Sequence, residues 1–180
     1  MTDDLFLSAP SMELRDAYLA FYREWLESGE QMVPWVIAQD PTDFPALIAF
    51  LTGQADGSGL QAGWVPNSTY WLLNGGREVL GAVNIRNRMN EHLLHEGGHI
   101  GYGIRPSRRR RGYATRLLAM SLEQAAALGI ERALVCCDQE NEASARTILR
   151  NGGLTDSSYT DEKGQVVLRF WIETRPGASA

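Results

Sequence analysis

The side chains best suited to chemistry crowd one stretch, GGHIGYGIRPSRRRRGYA, from Gly97 to Ala114. A glycine-loosened apolar run passes through Pro106-Ser107 into an arginine run, Gly112 closes that run, and a long apolar-periodic segment follows. A strand that feeds a glycine turn and then a helix builds an anion site, because first-turn N–H groups lack intrahelical acceptors and the helix dipole adds positive potential. Arg109, Arg110, Arg111, Gly112, Tyr113 and Ala114 would form it, with a phosphate-bearing ligand as the natural occupant.

A second chemical pattern overlaps the first. His92, His95 and His99 are the chain's three histidines, and His95-Glu96-Gly97-Gly98-His99 is a literal H-E-x-x-H. On a helix that spacing sets two histidines on one zinc ion with the glutamate as base. Here the two inner residues are both glycine, each costing about 1 kcal/mol in a helix interior, and strand-like His99-Ile100-Gly101-Tyr102 follows at once. No further histidine exists as third ligand, although His92 or a carboxylate could serve. The match reads as coincidence and no metal is expected; a zinc peptidase is the alternative it carries.

Arg109 to Ala114 also fits Arg/Gln-x-x-Gly-x-Gly/Ala, and in this the sequence resembles the GCN5-related N-acetyltransferase (GNAT) family, whose acetyl-CoA loop lies between the fourth strand and third helix. The context extends the resemblance. Tyr102-Gly103-Ile104-Arg105-Pro106 matches the strand end before the loop, and Asn141-Glu142-Ala143-Ser144 through Asn151-Gly152-Gly153 matches the family's asparagine-initiated fourth helix and glycine stop. The order of elements agrees over roughly residues 70 to 172, with the specific motifs confined to 98 to 153. The wording around Asn84-Ile85-Arg86 and Gly97 to Tyr102 is similar to a bacterial branch known mainly as predicted acetyltransferases, so no acceptor is implied.

The resemblance implies an α/β fold with a central mixed sheet of about six to seven strands, parallel at the fourth and fifth, and helices on both faces. It implies direct transfer of the acetyl group of acetyl-CoA to a primary amine of a small molecule or peptide. The pyrophosphate would rest on main-chain N–H groups from Arg109 to Ala114, and Tyr102, Gly103 and Ile104 would hold the pantetheine. Asn141 would touch the pantetheine or a bound water while capping its helix. Arg86 and Asn84, on one face of their strand, would meet the acceptor.

One departure bears on catalysis. Ile148 stands where the family often has the tyrosine that protonates the leaving thiolate. The acid must then be Tyr102, Tyr159 or water, with Glu96 and His99 as candidate bases, although alternation sets His99 and Tyr102 on opposite faces unless a bulge intervenes. A non-catalytic acyl-CoA-binding regulator on the same fold is the runner-up.

The elements that must position these residues are legible in outline. Leu14, Tyr18, Phe21, Tyr22 and Trp25 form a helical stripe after a short strand at Phe6-Leu7, and Phe44 to Leu51 makes a second helix. Tyr70 to Leu73 and Val79 to Arg86 read as a hairpin about Asn74-Gly75-Gly76. Asn90 caps a helical turn through Leu94. Leu117, Leu118, Leu122 and Ala125 mark the third helix, Ala133 to Cys137 a buried strand, and Val166 to Ile172 pairs with a strand at Tyr159.

With 180 residues, 44% of them hydrophobic, the chain suits one domain, 1–174, with a disordered tail at 175–180. Its start lacks a signal-peptide pattern, and adjacent Cys136 and Cys137 point to opposite faces, so a cytoplasmic protein with reduced thiols is expected, as monomer or homodimer, with no membrane partner. Net charge is −5, yet five arginines lie between Arg105 and Arg111. Sixteen arginines against the lone lysine, Lys163, explain part of that island, but not four in a row ahead of a glycine turn. No broad basic face accompanies it, so no nucleic-acid partner is expected.

Overall fold

The computed structural model describes residues 4–175; Met1 to Asp3 and the tail beyond Arg175 lie outside the described residues. After β1 (Phe6–Ser8), a 3-10 turn at Met12–Leu14 leads into α1 (Arg15–Ser28). Tyr18, Phe21 and Trp25 line its buried stripe, each such side chain contributing about 1.5–3 kcal/mol on burial. α2 (Phe44–Gly53) starts where Asp43 accepts the Ala46 N–H at 3.0 Å.

β2 (Asn67–Leu73) and β3 (Val79–Arg86) form the expected antiparallel hairpin. β2 begins at Asn67 rather than Tyr70, because polar Asn67 and Thr69 lie in register with Arg86 and Asn84 and are buried there. β4 (Ile100–Ile104) pairs with β3 and completes a sheet of order β1-β2-β3-β4. α3 (Tyr113–Ala127), β5 (Arg132–Asp138), α4 (Glu142–Arg150), β6 (Leu154–Thr155), β7 (Tyr159–Thr160) and β8 (Val166–Glu173) follow. β8 pairs with β5, β6 and β7 in a second sheet.

Alternation divides the first sheet between two cores. Trp71, Leu73, Val79 and Ala82 pack with the stripes of α1 and α2. Leu72, Leu80, Val83 and Ile85 pack with Leu117, Leu118 and Ile148 of α3 and α4 on the other face. The α/β class with helices on both faces therefore stands.

The sheet itself differs from the single mixed one expected. All pairings are antiparallel, and β4 and β5 form no ladder. They meet at one point, where His99 N–H donates to Leu134 O at 2.7 Å and Leu134 N–H donates to Nδ1 of His99 at 2.9 Å. The imidazole thus supplies the acceptor that a second main-chain carbonyl would give, and the pairing stops there. Gly98 permits the approach: its φ is 63°, and a Cβ would sit 2.5 Å from Leu134 O.

Candidate functional site

The glycine turn folds as a helix entrance. Gly112 is the N-cap of α3 with φ 80°, a backbone conformation that glycine adopts without strain, and space is open around it. Arg109 N–H bonds to Pro106 O at 3.3 Å, which takes it out of the expected cradle. Next along the chain, Arg110, Arg111, Gly112, Ala114 and Thr115 carry N–H groups without main-chain acceptors, the first helical bond being Arg116 N–H to Gly112 O. The donors left for a cradle are therefore those of Arg110, Arg111, Gly112, Ala114 and Thr115.

The arginine run is not one cationic patch. Arg105 pairs with Glu24 through Nε at 2.8 Å and with Glu78 at 3.1 Å, and Arg108 grips Glu78 in bidentate fashion at 2.9 and 3.0 Å. Arg109 pairs with Glu30 at 2.8 Å, donates to Ile104 O at 3.1 Å and lies 5.1 Å above the Trp25 ring. Burial raises the Glu24 carboxyl, but hydrogen bonds from Ser107 N–H and Arg105 outweigh it and hold Glu24 below its ordinary range. Arg110 and Arg111 are exposed and have no carboxylate partner among the described residues, so theirs are the charges left for an anion.

Past His99 and Leu134, one edge of β4 has no partner strand among the described residues. Arg86 N–H to His99 O and Arg105 N–H to Leu80 O fix which residues bond to β3. By alternation, the main-chain groups of Ile100, Tyr102 and Ile104 face away from β3, toward α4 and β5. A groove of about 510 Å³ opens there, lined by Tyr102, Gly103, Ile104, Ala114, Asn141 and Ser144 among others. At Gly103 the loop after α1 closes over the strand, Val33 O passing where a Cβ would be.

Inside the groove Tyr102 OH and Ser144 Oγ are 2.9 Å apart. Burial pushes the Tyr102 hydroxyl up to about 12, the bond to Ser144 opposing it, so it stays protonated near neutrality. Asn141 caps α4 by accepting Ser144 N–H at 3.1 Å and also lines the groove. Ile148 is fully buried in the core, so the expected tyrosine position here does packing work while Ser144 and Thr147 face the groove.

A family profile for the acetyltransferase (GNAT) domain matches residues 5–153, most of the chain. The chain belongs to the GNAT acetyltransferase family. Solved structures agree on the fold. The microcin C7 self-immunity acetyltransferase MccE, in complex with acetyl-CoA and AMP, is 14% identical, with 96% of this chain and 93% of that one covered at a TM-score of 0.67. The dodecameric spermidine N-acetyltransferase from Vibrio cholerae is 14% identical, with 95% and 94% covered at 0.64. No curated protein matches the sequence.

The GNAT domain has a second cavity, of about 500 Å³, on the α1 side of the first sheet. Arg86 reaches it from the end of β3, donating from Nη1 to Gly97 O at 3.1 Å, with the guanidinium 3.3 Å from the Cβ position of Gly101 on β4. No carboxylate pairs with Arg86 among the described residues, and its burial pulls it down to about 10, still charged at neutral pH. Trp35 and Trp64 form another wall, edge to face at 4.7 Å.

Other expected site residues of the GNAT domain lie elsewhere. Asn84 is fully buried, donates to Asn67 Oδ1 at 2.7 Å and Thr69 Oγ1 at 3.2 Å, and lines neither cavity, so it braces the hairpin. His99 is buried with Nδ1 taken by Leu134 N–H, which puts its proton on Nε2 and leaves no free lone pair for a base. Burial, with Arg86 adding to it, lowers the His99 pKa as well. Glu96 is exposed on the π-helical turn Leu93–Gly97, His95 stacks on Tyr159 at 4.6 Å, and none of the three lines either cavity. His95 and His99 are thus held by different partners and do not form a ligand pair.

Sequence reasoning missed Ser144, Thr147, Trp35 and the glutamates that occupy three arginines. For Ser144 a signal existed, since it lies in the first turn after Asn141 and shares that residue's exposure to the groove. Nothing local marks Glu24, Glu30 or Glu78.

Proposed function

We propose that this GNAT domain transfers the acetyl group of acetyl-CoA directly to a primary amine. The observation that carries the reading is the continuity of one binding surface: the N–H groups of Arg110, Arg111, Gly112, Ala114 and Thr115, which have no main-chain acceptor, lead into the groove beside the open edge of β4. A pyrophosphate would sit on those N–H groups, with Arg110 and Arg111 beside it, and the pantetheine amides would pair with the edge of β4 as an added strand.

In the reaction the neutral amine attacks the thioester carbonyl, forming the C–N bond. A main-chain N–H of β4 that faces the groove stabilises the oxyanion. The C–S bond then breaks, Tyr102 donates its hydroxyl proton toward the departing thiolate, and the surplus amine proton leaves to water. Ser144, bonded to Tyr102, orients that hydroxyl. Direct transfer is favoured over an acyl-cysteine route because burial pushes the Cys136 and Cys137 thiols up to about 12 and about 11, which leaves no thiolate nucleophile near neutral pH.

Release of free CoA from acetyl-CoA in the presence of a panel of primary amines tests the reading. Amine-dependent release supports it. Tight acetyl-CoA binding without release for any amine would favour a non-catalytic acyl-CoA-binding regulator instead.

A further inference from the structure

Building on the acetyltransferase reading above, we infer that the acceptor is an amine that also carries a carboxylate, with Arg86 as its anion-binding residue and the Trp35/Trp64 wall packing its apolar body.

A guanidinium taken out of water is costly unless its charge and its donors are matched. Among the described residues Arg86 has one hydrogen-bond acceptor, Gly97 O, which uses Nη1 and satisfies neither the charge nor the remaining donors. Arg105 and Arg169, whose side chains are 11% and 13% exposed, each have a carboxylate, in Glu24, Glu78 or Asp156. The exception therefore stands at a cavity. Among the described residues its lining contains no aspartate or glutamate, and its polar side chains are Arg86, Asn67, Asn90 and His92.

The sign and size of that charge select the ligand. A polyamine brings only positive charge into a cavity that holds the Arg86 cation and no carboxylate among the described residues, so it is disfavoured. A phosphate dianion calls for more than one cation. A single planar guanidinium matches a single carboxylate in bidentate geometry. Trp35 and Trp64 with Val65 and Leu93 supply an apolar surface for the rest of the molecule.

The location fits a group next to the reacting amine. Arg86 lies against Gly101, two residues from Gly103 of the groove, which is about 7 Å along a strand. A carboxylate held at Arg86 leaves an α-amine one carbon away, on the side of β4 where the thioester would lie. The amino-acid type of acceptor follows.

The test compares the twenty amino acids with their twenty amides as acceptors, by CoA release with the wild-type protein, Arg86→Gln and Arg86→Lys. Acid and amide differ in the carboxylate alone, and the amide's amine is the less basic, which handicaps the acid. The expected result is at least one acid preferred over its amide by about 30-fold or more in kcat/KM. Arg86→Gln should shrink that ratio to within about threefold, and Arg86→Lys should leave it between the two. Equal or better use of amides, a preference untouched in Arg86→Gln, or turnover of spermidine alone overturns the inference. If none of the acids is used while acetyl-CoA still raises the melting temperature, the inference falls and the acetyl-CoA reading survives. Loss of acetyl-CoA binding itself would instead sink the reading on which it rests.

Discussion

Tyr102 of β4 and Ser144 of α4 hold hydroxyls 2.9 Å apart across the groove, joining two elements that share no strand pairing. Ile148, at the position where the family resemblance leads one to expect a tyrosine, is buried in the core instead. A phenol that reaches α4 from the strand places a neutral donor in the same groove by another route.

Tyr102→Phe should lower kcat by roughly a hundredfold while the KM for acetyl-CoA changes little. Ser144→Ala should cost less, since it removes only the partner that orients the phenol. Steady-state kinetics on the best amine checks both. A Tyr102→Phe enzyme with near wild-type kcat would assign the proton to water.

Acetyl-CoA at about a hundred times its Kd should stabilise the fold by roughly 2.7 kcal/mol, seen as a higher melting temperature. Gly112→Asp should remove that response, because a carboxylate would project into the open space beside the N–H donors of Arg110, Arg111, Ala114 and Thr115. Gly112→Ala is the control for backbone strain at φ 80°, about 1 kcal/mol, and should retain part of the response. ATP and NAD, which lack the pantetheine arm, should shift melting much less. Equal shifts from all three ligands would reduce the loop to a general polyphosphate patch.

His99 links stability to pH. Its imidazole is held neutral, with burial lowering its pKa below the ordinary value of about 6.5. Below that value the unfolded chain binds a proton that the folded chain resists, so this contribution to stability is present above about pH 6.5 and is lost as pH falls toward the folded value. Urea unfolding at pH 7.5 and 5.5 should show the loss in the wild type. In His99→Gln, whose amide oxygen can still accept Leu134 N–H, the difference between the two pH values should shrink. An unchanged difference would mean that other groups govern this window.

Glu78 serves two arginines of unequal burial, Arg105 at 11% side-chain exposure and Arg108 at 34%. Glu78→Ala takes one carboxylate from the more buried cation and should cost about 1–3 kcal/mol. Arg108→Ala removes a more exposed partner and should cost under about 1 kcal/mol. Urea midpoints compared at equal slope decide the ranking, and equal losses would show that Arg105 does not depend on Glu78.

Local rules were enough for the features that depend on neighbours in sequence. The stripe of α1 and that of α3 follow from side chains three and four apart, the hairpin from Asn74-Gly75-Gly76, and the helix entrance from Gly112, since one residue's φ range and one turn's free N–H groups are set within a few residues. The GNAT family was legible there for the same reason. What the tertiary structure decided depends on partners far apart in the chain. Glu24, Glu30 and Glu78 claim arginines at 105 to 109, the His99 ring ends the pairing of β4 with β5 at Leu134, and Asn67 and Thr69 bury Asn84. No periodicity encodes such pairings, because a side chain's free charge or lone pair is fixed only when the fold brings its competitor within hydrogen-bonding distance. Arg86 is the clearest case: its residue type was readable in the sequence, but its lack of a carboxylate partner among the described residues became visible only in the folded structure.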